Sequence, residues 1–145
     1  TIYKKNLTAL KKFLNLAFGK IIKKETLKNT IYIDTKILPS ALNESFFNEI
    51  NLLSPFGPGN HDPSFMIENL RIFKSKVIQN KHINSILISK NNKFFNTICF
   101  NAKDTELESY LNDKKKIINI VGKLSLTNWL GKNKVQFIIN DISIN

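Results

Sequence analysis

The sequence is poor in several features that define whole classes of protein. A single cysteine, Cys99, among 145 residues excludes an internal disulfide framework and is typical of a reducing compartment, so we expect a cytoplasmic protein. No run of about 18 apolar residues is present, which argues against a transmembrane helix and a membrane partner. The first residues, TIYKKNLTALKKF, lack both the apolar core of a signal peptide and a methionine. We therefore expect a piece of a longer chain or a processed product.

Arginine is almost missing from a strongly basic chain. Lys and Arg total 22 against 11 Asp and Glu, a net charge of +11, yet Arg71 is the only arginine. Basic chains often bind nucleic acid or anionic membranes. Arginine is the usual choice for two-point contacts to phosphates and bases, and Lys, Asn and Ile are also what an AT-rich genome would supply. The charge favours nucleic-acid binding, with mutational bias as the alternative.

Catalytic patterns are missing as well. The aspartates share no motif, and HExxH, CxxC, P-loop and GxSxG patterns do not occur. His61 and Asp62 could ligate a metal, although a solvated loop is the simpler interpretation. Cys99 stands beside Phe100 in an apolar segment, which favours a buried thiol over a nucleophile. The sequence predicts no catalytic residue and no metal site within this chain.

Glycine and proline are few, and four of them stand close together: Pro55, Gly57, Pro58 and Gly59. Proline fixes φ and glycine permits angles closed to other residues, so this stretch predicts a shaped turn. Apolar spacing is mostly helical before the turn and mostly alternating after it. We interpret residues 55–63 as a joint between a domain tail at 1–54 and a second domain at 64–145.

The segment before the joint predicts a helix, a strand and a helix. Residues 3–24 carry one apolar stripe at helical spacing with lysines beside it. Core packing of the stripe is favoured, and binding to a membrane surface is the alternative. Residues 30–35 are β-branched and aromatic, which predicts a short strand. A second helix follows Pro39, capped by Ser40 or Asn43.

The segment after the joint predicts five strands and one helix. The strands are expected at 66–79, 83–89, 94–102 and 118–127, and Val135, Phe137 and Ile139 open the fifth. A short helix capped by Asp104 precedes the fourth strand, in which Gly122 indicates a bend or bulge. Three strands, one helix and two strands is the order of an OB-fold. We therefore predict an α+β chain, an N-terminal helix-strand-helix remnant followed by a five-stranded OB-fold β-barrel with one helix between strands three and four; another small barrel or an α+β sandwich is the alternative.

An OB barrel typically holds oligonucleotides with strands two and three and with the loops that join strands one to two and four to five. The candidate DNA-binding residues on and beside these elements are Lys74, Lys76, Lys81, His82, Trp129, Lys132 and Lys134. Lysines for phosphates and an aromatic ring for stacking suit a single strand held without sequence preference. Trp129 could instead fold back onto the barrel.

Several segments resemble one family. LLSPFGPGNHDPSF resembles the joint of RecJ-type single-stranded-DNA exonucleases, which reads L-x-PFG-x-GNP-x-P-x-F, and KVIQNKHINSILI, NTICFNA and LTNWLGKNKVQFIINDI resemble later family motifs in the same order. The resemblance covers about residues 38–142 and makes 3–36 look like the tail of a DHH-associated domain. The residues it carries over are Pro55, Phe56, Gly57, Gly59 and Asn60 of the joint, together with His82, Asn128, Trp129, Gly131, Gln136 and Asp141.

The resemblance implies a 5′→3′ exonuclease that uses Mn²⁺ or Mg²⁺ in DNA repair and recombination and whose catalytic motifs lie outside this chain. This chain would then guide single-stranded DNA to a nuclease core of the same polypeptide. A protein-interaction or scaffolding OB module without direct DNA binding is the alternative. Two departures from the family pattern, His61 for Pro and Asn84 for Lys, predict a less rigid joint and weaker DNA binding.

Overall fold

The computed structural model describes residues 3–19, 30–129 and 131–144, and only the backbone of Trp129 and Lys132. The chain forms two compact units, Thr1–Ile31 and Tyr32–Asn145, which are described separately. Among the described helices, none has the length and apolar character required to cross a membrane.

The described residues 3–19 of the first unit are mostly helical. A 3₁₀ turn at Lys4–Asn6 leads into α1, Leu7–Gly19. The predicted helix extended to residue 24, and residues 20–24 lie outside the described part of the chain. No described residue of α1 is buried, and Phe13 is 65% exposed. The expected packing of the apolar stripe is therefore not observed among the described residues.

The second unit begins with a short strand and a helix. The predicted strand at 30–35 is reduced to β1, Thr35–Lys36, which lies parallel to the first barrel strand. Helix α2, Glu44–Asn51, is capped by Asn43, whose Oδ1 accepts a hydrogen bond from Phe46 N at 3.0 Å. Of the two predicted caps, Asn43 is confirmed.

Helix α2 packs on the barrel that follows it. The rings of Phe46 and Phe65 lie 5.8 Å apart, and Phe47 and Ile50 are partly buried against the same core. The compact unit thus includes residues that the sequence analysis assigned to a preceding domain. The assignment of residues 1–54 to the tail of such a domain stays a prediction.

Five long strands and one helix form the rest of the second unit. They are β2 (Phe65–Ile78), β3 (His82–Ile88), β4 (Phe94–Cys99), α3 (Glu106–Asn112), β5 (Ile118–Trp129) and β6 (Lys132–Ile144). The first half of β2 pairs with β5 and its second half with β3, while β4 lies parallel to β6. These pairings close a barrel in the order β2-β3-β4-β6-β5, with β1 as a sixth strand at its edge. The predicted OB-fold is confirmed.

The barrel interior follows the alternation of the strands. Ile67, Ile83, Leu87 and Phe137 are fully buried and contribute to one continuous core. The register of β5 against β6 shifts between Val121 and Gly122, which confirms the predicted bulge.

Two local predictions are wrong. The N-cap of α3 is Thr105, not Asp104, because Asp104 has a left-handed φ of 62° and precedes the cap. The connection of β5 to β6 is not a loop over 128–133, since Asn128 pairs with Asn133 and Trp129 with Lys132 across the hairpin. Gly131, which precedes β6, has φ of 75°, a left-handed value that glycine adopts without steric cost.

The Pro/Gly stretch forms the predicted shaped turn. Gly57 and Asn60 exchange two backbone hydrogen bonds of 2.8 and 3.0 Å, and Gly59 supplies a φ of 86°. The Asn60 amide donates to the carbonyl oxygens of Leu53 and Pro55. Phe56 lies beside α2 and β5 in a groove of about 320 Å³. The turn thus lies within the second compact unit, and its proposed role as a joint between domains stays a prediction.

Candidate nucleic-acid interface

The outer face of β2, β3 and β4 places polar and basic side chains in rows. In one row Lys76 lies opposite Asn84, and Asn84 lies opposite Ile98. In the next row Lys74 lies opposite Ile86, and Ile86 lies opposite Asn96. Because successive strand residues point to opposite faces, the intervening residues of β3 turn into the core and these rows face outward.

A groove of about 340 Å³ runs over these rows. It is lined by Lys74, Lys76, Ile78, Asn84, Ile86 and Asn96. Both lysines are exposed, and none of the described lining residues is acidic. The ammonium groups can neutralise phosphates, and each amide offers a donor and an acceptor for a base edge. The groove can therefore hold a polyanion with unpaired bases.

An aromatic pair borders the groove. The register of β2 against β3 shifts between Ile72 and Lys74, so Phe73 is an extra residue in a bulge. The Phe73 and Phe94 rings meet edge to face at 5.0 Å. They stay 55% and 50% exposed. Exposed rings on such a face are surfaces on which bases can stack.

The turn from β2 to β3 carries two of the predicted site residues. Lys81 is exposed, and its carbonyl oxygen accepts a hydrogen bond from Lys103 N at 3.2 Å. His82 is half-buried, with its Nδ1 accepting from Asn101 N at 3.0 Å and its ring against Phe100 at 5.1 Å. His82 thus holds the turn after β4, a role that the sequence did not indicate.

The end of β5 and the start of β6 carry the other three. Lys134 is exposed and lies opposite Thr127, while Trp129 and Lys132 face each other across the turn. The side chains of Trp129 and Lys132 lie outside the described part of the structure. The structure therefore brings Lys74 and Lys76 together on one groove and places Lys134 on a different pair of strands.

The residues considered for metal binding or catalysis form no such site among the described residues. Asp62 Oδ2 accepts from Lys123 Nζ at 2.7 Å. No group of three potential metal ligands occurs among the described residues. Burial, with a smaller contribution from the Asp141 charge, raises the pKa of the Cys99 thiol to about 11. Cys99 is 1% exposed, as expected for a structural thiol.

Comparison with known proteins places the chain in a family. Residues 33–141 match the model of the RecJ OB domain. The chain belongs to the RecJ OB domain family. The match begins next to Tyr32, where the compact barrel unit begins. A search of curated proteins finds no match.

Two solved structures of RecJ from Thermus thermophilus show the same fold. RecJ of Thermus thermophilus in complex with Mn²⁺ has a TM-score of 0.67 at 17% identity, over 99% of this chain and 20% of that one. The Mg²⁺ complex of that RecJ gives 0.67 and 17%, over 98% and 21%. The mitochondrial single-stranded DNA binding protein Rim1 of S. cerevisiae has a TM-score of 0.43 at 9% identity, over 56% of this chain and 90% of that one. The chain spans about a fifth of the length of the Thermus RecJ.

The sequence did not point to all residues of the candidate interface of this RecJ OB domain. Asn84 stood out only as a departure from the family pattern, and Phe73, Phe94 and Asn96 were not among the predicted residues. The alternation of Phe94 and Asn96 with buried Phe95 and Thr97 was a usable signal for one outward face. No local signal marks Phe73, because its outward position depends on a bulge in the pairing of β2 with β3.

Proposed function

We propose that this RecJ OB domain binds single-stranded DNA on the outer face of β2, β3 and β4. The main support for this proposal is that Lys74 and Lys76 line one groove together with Asn84 and Asn96. Lysines that meet phosphates supply affinity without sequence preference. A base stacked on an exposed ring adds on the order of 1–3 kcal/mol.

The remaining predicted residues would extend this surface at both hairpin turns. Lys81 and His82 lie at the end of the face where β3 begins. Trp129, Lys132 and Lys134 would contact the strand at the turn from β5 to β6. We expect these five residues to contribute less to binding than the groove does. Of the seven predicted residues, only Lys74 and Lys76 line the groove.

In the full protein, this domain would guide the strand to a nuclease core of the same polypeptide. That protein would be a RecJ-like 5′→3′ single-stranded-DNA exonuclease, active in DNA repair and recombination in the cytoplasm. The Thermus RecJ structures with Mn²⁺ and Mg²⁺ support a metal-dependent core. We assign the metal to that core, since the motifs of this chain include none of its ligands.

A titration tests the binding. Fluorescence anisotropy of a labelled dT oligomer would be measured at several salt concentrations with the wild-type chain, the K74Q/K76Q variant and the K11Q/K12Q variant. The salt slope is the slope of the logarithm of the binding constant against the logarithm of the salt concentration. Removing two phosphate contacts should reduce its magnitude by about 1.4, at about 0.7 per contact. The K11Q/K12Q variant loses the same charge from the other compact unit and should change the slope far less. Absent or salt-independent binding by the wild-type chain would contradict the proposal.

The second candidate function is a protein-interaction module. The exposure of Phe73 and Phe94 on a strand face favours it, since apolar side chains also bind protein partners. Under this hypothesis F73S/F94S would disrupt a complex with the nuclease core, while K74Q/K76Q would leave DNA binding unchanged. The titration above separates the two functions.

A further inference from the structure

A second groove lies at the end of the same face. It has a volume of about 250 Å³ and is lined by Asn69, Arg71, Ile88, Ser89, Lys90, Asn92 and Ile117. Arg71, the only arginine of the chain, lies opposite Ile88, and Ile88 lies opposite Phe94. The groove therefore continues the row that holds one ring of the aromatic pair.

The lining is suited to an anion. Arg71 and Lys90 are exposed and carry positive charge, and no carboxylate occurs among the described lining residues. Arg71 forms no ion pair within the described part of the chain. The nearby Glu68 is held by Lys36, with the Lys36 Nζ to Glu68 Oε1 distance at 2.7 Å. The positive charge of the groove is thus not neutralised by this acidic neighbour.

The backbone around the groove is fixed by local hydrogen bonds. Ser89 N donates to Lys93 O at 3.1 Å, and Asn92 N donates to Ser89 O at 3.0 Å. The Ser89 hydroxyl accepts from Lys93 N at 3.3 Å. These bonds hold the turn from β3 to β4, so Lys90 and Asn92 keep their positions relative to Arg71.

We infer that this groove binds a backbone phosphate of a nucleic-acid strand whose neighbouring base stacks on Phe73 and Phe94. This inference rests on the proposed function and adds a defined subsite to it. The Arg71 row and the Lys74 row are two residues apart on β3, about 7 Å along the strand. A strand that follows the lysines therefore reaches the aromatic pair and then Arg71.

The residue type supports a specific contact. The guanidinium group presents a planar fork that matches two oxygens of one phosphate, whereas lysine acts as a point charge. In a chain whose other basic residues are all lysine, this fork lies beside the one exposed aromatic pair of the face. We expect Arg71 to fix one phosphate, and the lysines to hold the rest of the strand by charge alone.

The test compares four variants with the wild-type chain, using anisotropy of labelled dT15 at several salt concentrations. R71Q should weaken binding about tenfold and reduce the magnitude of the salt slope by about 0.7. R71K should retain the salt slope and recover part of the affinity. F94A should weaken binding with an unchanged slope, because stacking releases no counterions. K12Q, which loses one charge from the other compact unit, is the matched control.

Three outcomes are decisive. If the wild-type chain binds and R71Q matches K12Q, the subsite is refuted and the proposed function stands. If R71Q loses affinity without a change in slope, the group bound is not a phosphate and the inference fails. If the wild-type chain does not bind dT15, the proposed function fails and the subsite fails with it. Thermal melts of each variant show whether the fold is retained, which is expected because Arg71 is exposed.

Discussion

Replacing Gly122 with alanine tests the barrel at its closest backbone approach. A Cβ atom on Gly122 would lie 1.8 Å from the carbonyl oxygen of Ile138 and 2.9 Å from Cε1 of Phe137. The first neighbour is backbone on the adjacent strand and cannot rotate away. Phe137 is fully buried and has little space to move. The strands β5 and β6 must therefore separate to admit one methyl group.

The cost follows from that separation. Ordinary carbon contacts lie at about 3.5–4.0 Å, so β5 and β6 must move apart by roughly 1–2 Å. Two ladder hydrogen bonds lost at about 1 kcal/mol each and overpacking of roughly 1–3 kcal/mol give about 3–5 kcal/mol. Small domains unfold with about 5–15 kcal/mol in total. The variant should therefore be folded only marginally at 25 °C.

Urea denaturation followed by far-UV circular dichroism measures this loss. Gly57→Ala is the control in the same compact unit, since a Cβ there has no neighbour within 4 Å. That control should stay within about 0.5 kcal/mol of wild type. Phe137→Leu replaces the ring with a smaller side chain but leaves the Ile138 carbonyl in place. The double variant G122A/F137L should therefore recover little of the free energy of unfolding that G122A loses. A G122A variant within about 1 kcal/mol of wild type, at an unchanged m-value, would refute this account of the bulge.

Two further predictions concern Cys99 and Asn43. Because the pKa of Cys99 is raised to about 11, iodoacetamide at pH 8 should alkylate it slowly in the folded chain and rapidly after unfolding. The unfolded thiol ionises at about pH 8.5, so this contribution to stability is present below that pH and is lost as the pH rises towards 11. Asn43→Ala removes the hydrogen bond to Phe46 N and should cost about 1 kcal/mol, measured by urea denaturation against Asn48→Ala on the exposed face of α2.

Much of the barrel was predictable because its determinants are local. Alternating apolar residues, polar turns and the single internal Gly122 specify strands, connections and a bulge within a few residues of sequence. The cap at Asn43 is local in the same sense, since the side chain bonds a backbone N–H three residues away. Lys74 and Lys76 share a face because they are two residues apart on one strand.

The features that were not predicted depend on pairing between distant segments. Strict alternation would place Phe73 and Lys74 on opposite faces, but the bulge against β3 leaves Phe73 exposed beside the Lys74 row. The stretch 128–133, with Asn at both ends and Gly131 within it, looks like a loop, yet pairing of Asn128 with Asn133 extends both strands into it. The role of His82 is also non-local, since its partner Asn101 lies 19 residues away. The secondary-structure propensities of a short sequence segment do not report which distant segments pair with it.

Register, and not net charge, distinguishes the proposed binding face from the rest of this basic chain. Lys36 and Lys123 are paired with carboxylates at 2.7 Å, and Lys4, Lys5, Lys11 and Lys12 belong to the other compact unit. The summed charge attracts a polyanion to the whole molecule, but a strand is held only where cations, amides and rings are aligned. This alignment exists where β2, β3 and β4 pair. If this face binds DNA as proposed, removing one charge from α1 should weaken only the general attraction, whereas removing one from the rows should delete a phosphate contact. The dependence of the binding constant on salt concentration distinguishes the two cases.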